Sequence, residues 1–287
     1  MRHGPAVRRR KLGEELRGLR DRAGLTSGEA ASLLGWHQSK VSRIETGRTN
    51  VKPVDVTRLL DAYGVRDPRA RALLEALAGS AGGGDRRRQW WHAYRGLLPP
   101  EYRDFISLEA EACTARSVEL AVVPGLLQTE AYARAVTRAA LDGLPDEKVD
   151  ALVRVRLARQ SVLWADTPLQ LSAVVDEAVL RRQVGGPRVM AEQLRKLQEM
   201  ARLPHVRLQV LPFSVGGHVG LTGPFIIFSF PNISDLDVVV LDHLTSSLYL
   251  ERKADLEAYS AAFRTLQAHA LSPEGSSDLL TRIGDGA

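Results

Sequence analysis

The stretch Leu25 to Asn50, LTSGEAASLLGWHQSKVSRIETGRTN, leaves little freedom of local fold. Gly24 before it is a good helix stop. Thr26-Ser-Gly-Glu29 places a hydroxyl at a helix start and a carboxylate three residues on, the capping-box pattern. A helix over about 27–34 follows, burying Ala30, Leu33 and Leu34. Gly35 breaks it, because glycine accepts the turn conformation that bulkier residues resist. A further helix runs from about His37 or Gln38 to Glu45, with Val41 and Ile44 facing inward. Its polar residues, Gln38, Ser39, Lys40, Ser42 and Arg43, are left for solvent or a partner. Gly47 closes it, and Arg48, Thr49 and Asn50 form a polar loop.

Helices flank this pair. Residues 8–23 read as a basic amphipathic helix with Leu12, Leu16, Leu19 and Ala23 toward the core. Arg8, Arg9, Arg10 and Lys11 fall at or before its start, where positive charge opposes the helix dipole. They fit a flexible phosphate-binding arm or a solvated tail. A fourth helix begins after Pro53 and uses Val56, Leu59, Leu60 and Tyr63, and a fifth spans about Pro68 to Ala78. Residues 79–88, GSAGGGDRRR, hold four glycines and a charge run and cannot gain enough from burial to order themselves. The domain boundary is placed there, with Arg86, Arg87 and Arg88 as a solvated run or an added phosphate contact.

Charge divides along the same line. Residues 1–100 carry 20 Lys or Arg against 10 Asp or Glu, whereas residues 101–287 carry 19 against 24. A basic head on a mildly acidic body suggests a polyanion partner for the head alone. Hydrophobic content of 44% and charged content of 25% are ordinary for a globular chain, and 287 residues suit two domains. No apolar run reaches the roughly 18 residues of a membrane span. The basic N-terminus lacks the apolar core of a secretory signal. The lone Cys113 cannot make an internal disulfide, which fits a reducing cytoplasm.

Two short helices meeting at a tight turn, the second polar outside, have the layout of a helix-turn-helix. The run from Leu25 to Asn50 is similar to the helix-turn-helix of phage Cro and repressor proteins and their bacterial Xre-type relatives. The matches are Gly24-Leu25-Thr26, Glu29, Leu34-Gly35, and Val41-Ser42-Arg43-Ile44-Glu45 followed by Gly47-Arg48; the likeness covers about residues 10–78. Trp36 and His37 depart from the small polar residues usual at the turn. The resemblance implies that Gln38, Ser39 and Arg43 reach base edges of double-stranded DNA. It places Ser27, Lys40, Arg48 and Asn50 near phosphates, and pairs Arg20 with Glu45 as scaffold. Physical chemistry agrees: a recognition helix presents its N-terminal residues to the major groove. There Gln suits adenine and Arg suits guanine. The other use of such a helical pair is protein contact.

The body mixes helices and strands. Strands are expected at about 118–123, 169–175, 206–211, 225–230, 238–241 and 248–250. Helices are expected at about 129–140, 147–163, 187–202, 253–271 and 277–283, with a short one through Leu180. The aromatic cluster WWHAY after residue 88 suits core or interface. VPGLLQTEAYARAV, RLARQSVL, DEAVLRRQVGGPRVMAEQLRKL and VLPFSVGGHVGLTGPFIIFSF, in that order, resemble a domain of unknown mechanism. It follows Xre-type domains in antitoxin-like or developmental regulators of high-GC Gram-positive bacteria. The resemblance implies a ligand or small-protein partner for the body and assigns no catalytic residue. The segment LDHLTSSLYLE departs from that family's pattern.

Chemistry-bearing residues stand singly. Asp176-Glu177 suits a helix start. His205, His218 and His243 lack close metal-ligand spacing, so no metal and no cofactor is expected. Ser214 to Gly223 is glycine-rich but lacks the Gly-Lys-Ser/Thr of a phosphate loop, and reads as a long hairpin loop or a mobile lid over a partner site. Asp242-His243 has no accompanying nucleophile elbow and suits a surface pair at a strand end.

The expected architecture is multidomain. It has an all-α, five-helix head at 8–78, a linker at 79–88 and an α+β (mixed α/β) body at 89–287. The expected function is a cytoplasmic, dimeric, sequence-specific transcriptional regulator that is not an enzyme. An antitoxin-like protein that sequesters a small partner and regulates its own synthesis is the alternative. An enzyme fused to a DNA-binding head is the remote one.

Overall fold

Gly24, Gly35, Gly47 and Gly64 adopt φ of 73, 65, 65 and 69°, and each lies just past a helix end. Such left-handed backbone is open to glycine at little cost, and these four positions set the helix lengths of the N-terminal region. The computed structural model describes residues 5–49, 51–68, 70–72, 74, 75, 78, 91, 94, 96–230, 237–243 and 246–285. The chain divides into Met1–Leu108 and Glu109–Ala287. The 79–88 segment and Asn50 lie outside the described residues.

In the first unit, α1 is Pro5–Arg22, α2 Ser27–Leu34, α3 Gln38–Glu45 and α4 Pro53–Ala62. The described residues between 68 and 78 are helical as well. Leu12, Leu16, Ala30, Ala31, Leu34, Val41, Ile44, Val56, Leu59 and Leu60 form its core. Four expectations are corrected here. Leu33 is 63% exposed, and the buried stripe of α2 is made by Ala30, Ala31 and Leu34. Ala23 is exposed because α1 ends at Arg22, and α1 begins at Pro5, not at residue 8. Proline suits a first helical turn, where its missing N–H costs nothing. The backbone of Arg8–Lys11 is therefore helical, which removes the flexible arm. In the WWHAY cluster Trp91 is buried, and α5, Pro100–Glu111, follows.

The second unit holds a six-stranded sheet in the order β3-β2-β1-β4-β5-β6. The strands are β1 Thr114–Glu119, β2 Gln170–Asp176, β3 Val206–Leu211, β4 Phe225–Ser229, β5 Val238–Asp242 and β6 Ser247–Leu250. β1, β2 and β3 run parallel, and β4, β5 and β6 form an antiparallel meander that joins at β1. The parallel crossovers carry α6 (Glu130–Ala140), α7 (Asp146–Arg159), α8 (Glu177–Arg181) and α9 (Pro187–Met200); α10 (Lys253–His269) and α11 (Pro273–Asp285) complete the unit. α10 covers one face, where Phe263 and Leu266 pack on Val118, Val174, Leu211, Phe225, Ile227 and Val239.

β1 starts four residues before the expected strand. The apolar run Val118–Val123 suggested the later register, but Leu120–Val123 bends away toward Pro124, which cannot donate to a ladder. Instead the Val123 N–H bonds the Tyr132 hydroxyl at 3.1 Å. The segment 214–223 is not a hairpin loop. It leaves β3 at the sheet edge and enters β4 between β1 and β5, so it crosses two strands, through short 3-10 turns at Phe213–Val215 and Val219–Thr222.

Irregular backbone from 123 to 129 is held by buried amides. Gln193, with no exposed surface, accepts from the Thr129 N–H and donates to the Leu127 carbonyl, each at 2.8 Å. Gln128 donates to the Val123 carbonyl at 2.8 Å. Beside them Arg159 makes a buried two-bond pair with Glu109, both contacts at 2.8 Å. Glu119, at the end of β1, keeps a little surface. Burial pushes its carboxyl up to about 8, Asp242 adds to the rise, and Arg159 and Arg156 oppose it.

An unfolded Glu titrates near about 4.3. Between that value and about 8 the folded chain holds a proton that the unfolded chain has released, so stability falls as pH rises across this window. Glu119→Gln is expected to raise Tm at about pH 8.5, by roughly 2–4 °C per kcal/mol recovered, and to leave it nearly unchanged at about pH 4. Thermal unfolding followed by circular dichroism at the two pH values checks this.

Candidate nucleic-acid interface

The entry to α2 is fixed first. Thr26 accepts the Glu29 N–H at 3.2 Å, and Glu29 accepts the Thr26 N–H and hydroxyl at 2.7 Å each. The bond from the Thr26 N–H, then that from its hydroxyl, holds the Glu29 carboxyl below the usual range. At the other end Gly35 turns the chain and the Trp36 N–H returns to the Ala31 carbonyl at 2.8 Å. α3 then starts at Gln38 with His37 as a cap that offers only its backbone.

α3 is anchored from within. Arg20 on α1 grips Glu45 through two parallel bonds, Nε to Oε1 at 2.8 Å and Nη2 to Oε2 at 3.0 Å. The side chains are 9% and 6% exposed. Arg20 also donates to the Leu25 carbonyl and to Asp21, each at 2.6 Å, and the Tyr63 hydroxyl approaches Glu45 Oε1 at 3.5 Å. The bond to Glu45 raises the Arg20 guanidinium, while burial and then the Glu45 charge raise the Tyr63 hydroxyl. One cation thus ties α1, the loop before α2 and the end of α3 together. Gly13 allows the helices to meet: a Cβ there would lie 2.6 Å from the carbonyl oxygens of both Ile44 and Glu45.

This anchoring leaves the other side of α3 free. Gln38, Ser39 and Arg43 are exposed, and Gln38 Nε2 donates to Ser27 Oγ at 3.0 Å, linking the first residues of α2 and α3. Arg43 and exposed Arg48 make no ion pair among the described residues. Lys40 differs. Its ammonium sits 3.1 Å from Asp55 Oδ2 and 3.4 Å from the centre of the Trp36 ring. Arg58 approaches the same ring at 5.4 Å and donates to the Leu34 carbonyl at 3.0 Å. Asp55, Arg58 and Gly13 were missed at the sequence level. A glycine inside an otherwise helical run is the signal that could have found Gly13.

In the body, Asp176 accepts the Ala178 N–H at 2.8 Å and caps α8, while Glu177 takes Arg181 at 2.7 Å and the Phe213 N–H at 2.9 Å. His218 Nε2 lies 3.7 Å from Asp176 Oδ2. Asp242 accepts the Ser247 hydroxyl at 2.6 Å across the β5–β6 turn, and both Asp242 and His243 are exposed. No group of three His, Cys, Asp or Glu suited to a metal ion occurs among the described residues. No described helix is long and apolar enough to cross a membrane.

Comparison with known families matches residues 11–74 to a helix-turn-helix domain, the kind of domain by which regulators bind DNA. Residues 102–282, more than half of the chain, match the family described as a domain of unknown function (DUF5753). The chain belongs to that family. No curated protein and no solved structure matches it. The sheet, its crossovers and the Asp176 cap of α8 all fall inside the DUF5753 match.

Removing one partner of a buried pair leaves the other charge stranded. Arg20→Ala or Glu45→Gln is expected to destabilise the head by roughly 3–5 kcal/mol. Urea unfolding of the full chain, followed by circular dichroism, measures it.

Proposed function

We propose that this chain is a sequence-specific transcriptional regulator of the Xre/Cro kind. Its head, about residues 8–78, reads operator DNA, and its body, about 89–287 beyond the 79–88 linker, dimerises and receives a protein partner or ligand. The observation that carries the reading is the division of α3. Glu45, Val41 and Ile44 are buried, while Gln38, Ser39 and Arg43 are exposed at the N-terminal and middle turns that enter a major groove. Arg43 suits guanine O6 and N7, and Gln38, steadied by Ser27, suits adenine. Ser27, Arg48 and Asn50 are assigned to the backbone phosphates, with Lys40 as a fourth candidate. The basic excess of residues 1–100 supports a polyanion partner for this end of the chain. DNA binding places its work in the cytoplasm, on the nucleoid.

For the body, Phe213, Val219 and Leu221 on the segment crossing the sheet are 56, 44 and 69% exposed, which favours a protein partner there. An antitoxin-like role, in which that partner is a small protein held by the body, is compatible with the same surface.

Genome-wide mapping of bound sites supplies the operator. Two half-sites about one helical turn apart are expected for a dimer. On that operator Arg43→Ala should lose about 1–3 kcal/mol of discrimination at one base pair and bind random duplex nearly as before. Arg48→Ala should weaken binding to every sequence and lower the salt slope by about 0.9. Unchanged affinity and unchanged preference in Arg43→Ala would remove α3 as the reading helix.

A further inference from the structure

We propose that Asp55, a residue that reads no base, competes with the DNA backbone for Lys40 and so limits how tightly the head grips any duplex. The inference rests on the DNA-binding reading of α3. Lys40 stands on the first turn of α3, beside the exposed Gln38 and Ser39. Its side chain is 36% exposed, so a phosphate oxygen can reach the ammonium. In the free protein that ammonium is already engaged by Asp55 Oδ2 at 3.1 Å. Arg43 and Arg48, two further cations assigned to this surface, have no carboxylate partner among the described residues.

Trp36 makes the exchange possible. The Lys40 ammonium lies 3.4 Å from the centre of its ring, and Arg58 braces the same ring while tied to the Leu34 carbonyl. The ammonium can therefore stay over the ring and exchange a carboxylate oxygen for a phosphate oxygen. The carboxylate is left facing a polyanion, which adds repulsion to the lost pair. Asp55 also stands in the first turn of α4, where the helix dipole favours an acid, so a purely structural role for it must be separated by the test.

The experiment is a double-mutant cycle on the full chain. Wild type, Lys40→Ala, Asp55→Asn and the double variant are titrated onto a fluorescent random-sequence duplex of about three helical turns at about 0.1 M salt. Asp55→Asn is expected to bind about two- to fivefold tighter, the range of a released exposed ion pair. Lys40→Ala is expected to cost at least about threefold more in the Asp55→Asn background than in wild type. Thermal melts accompany each titration, and Asp55→Ser, which keeps a helix-start hydroxyl, replaces Asp55→Asn if that variant melts early. A folded Asp55 variant that binds no tighter, or an equal cost of Lys40→Ala in both backgrounds, overturns the competition alone. A wild-type chain that binds no duplex overturns the DNA-binding reading and the competition with it.

Discussion

The head depends on one desolvated ion pair. Arg20 and Glu45 meet through two parallel bonds almost out of contact with water, and the same guanidinium holds the Leu25 carbonyl. A pair so placed gains little over an apolar contact of equal volume, because both charges give up their hydration. What it supplies is direction. A guanidinium and a carboxylate mate in one plane, so the C-terminal turn of α3 is fixed in rotation as well as position. Gly13 lets the two backbones approach, since a Cβ there would lie 2.6 Å from the carbonyl oxygens of Ile44 and Glu45. With the inner face of α3 set this way, the orientation of Gln38, Ser39 and Arg43 follows from helix geometry.

The body meets a different demand. Its central strand is followed by a stretch, 120–129, that is neither strand nor α-helix, yet much of it is buried. Peptide groups there need partners, and Gln128, Gln193 and the Tyr132 hydroxyl provide them. Arg159 and Glu109 add a second buried charge pair alongside. Buried amides at 128 and 193 are thus part of the fold's connectivity and need no ligand to explain them.

The helix-turn-helix was legible because each of its decisions is local. The capping box, Gly35 and Gly47 act within a few residues, and the structure keeps all three roles. The strands of the body were found as segments, but their order was not, since pairing between β1 and β4 joins residues over a hundred positions apart. The displaced start of β1 has the same origin. An apolar run attracts a strand assignment, whereas a central strand flanked on both sides can be built from Ala115, Ser117 and Val118. At the candidate interface, residue types and spacing suggested the outward face of α3. The Asp55 contact of Lys40 was hidden, because Asp55 stands on α4, a separate helix.

The outer edge of β3 is covered by the start of the last helix. Leu271 donates to the Val210 carbonyl at 2.9 Å, the Ser276 hydroxyl accepts the Val210 N–H at 2.9 Å, and Gln209 reaches the Leu271 carbonyl at 2.8 Å. A bare strand edge is a template on which other chains can add and polymerise. α11 is therefore a guard against self-assembly as much as a piece of the core. Shortening the protein before Leu271 would lay open the edge of β3, the strand that carries Val206, Leu208 and Val210, to such addition.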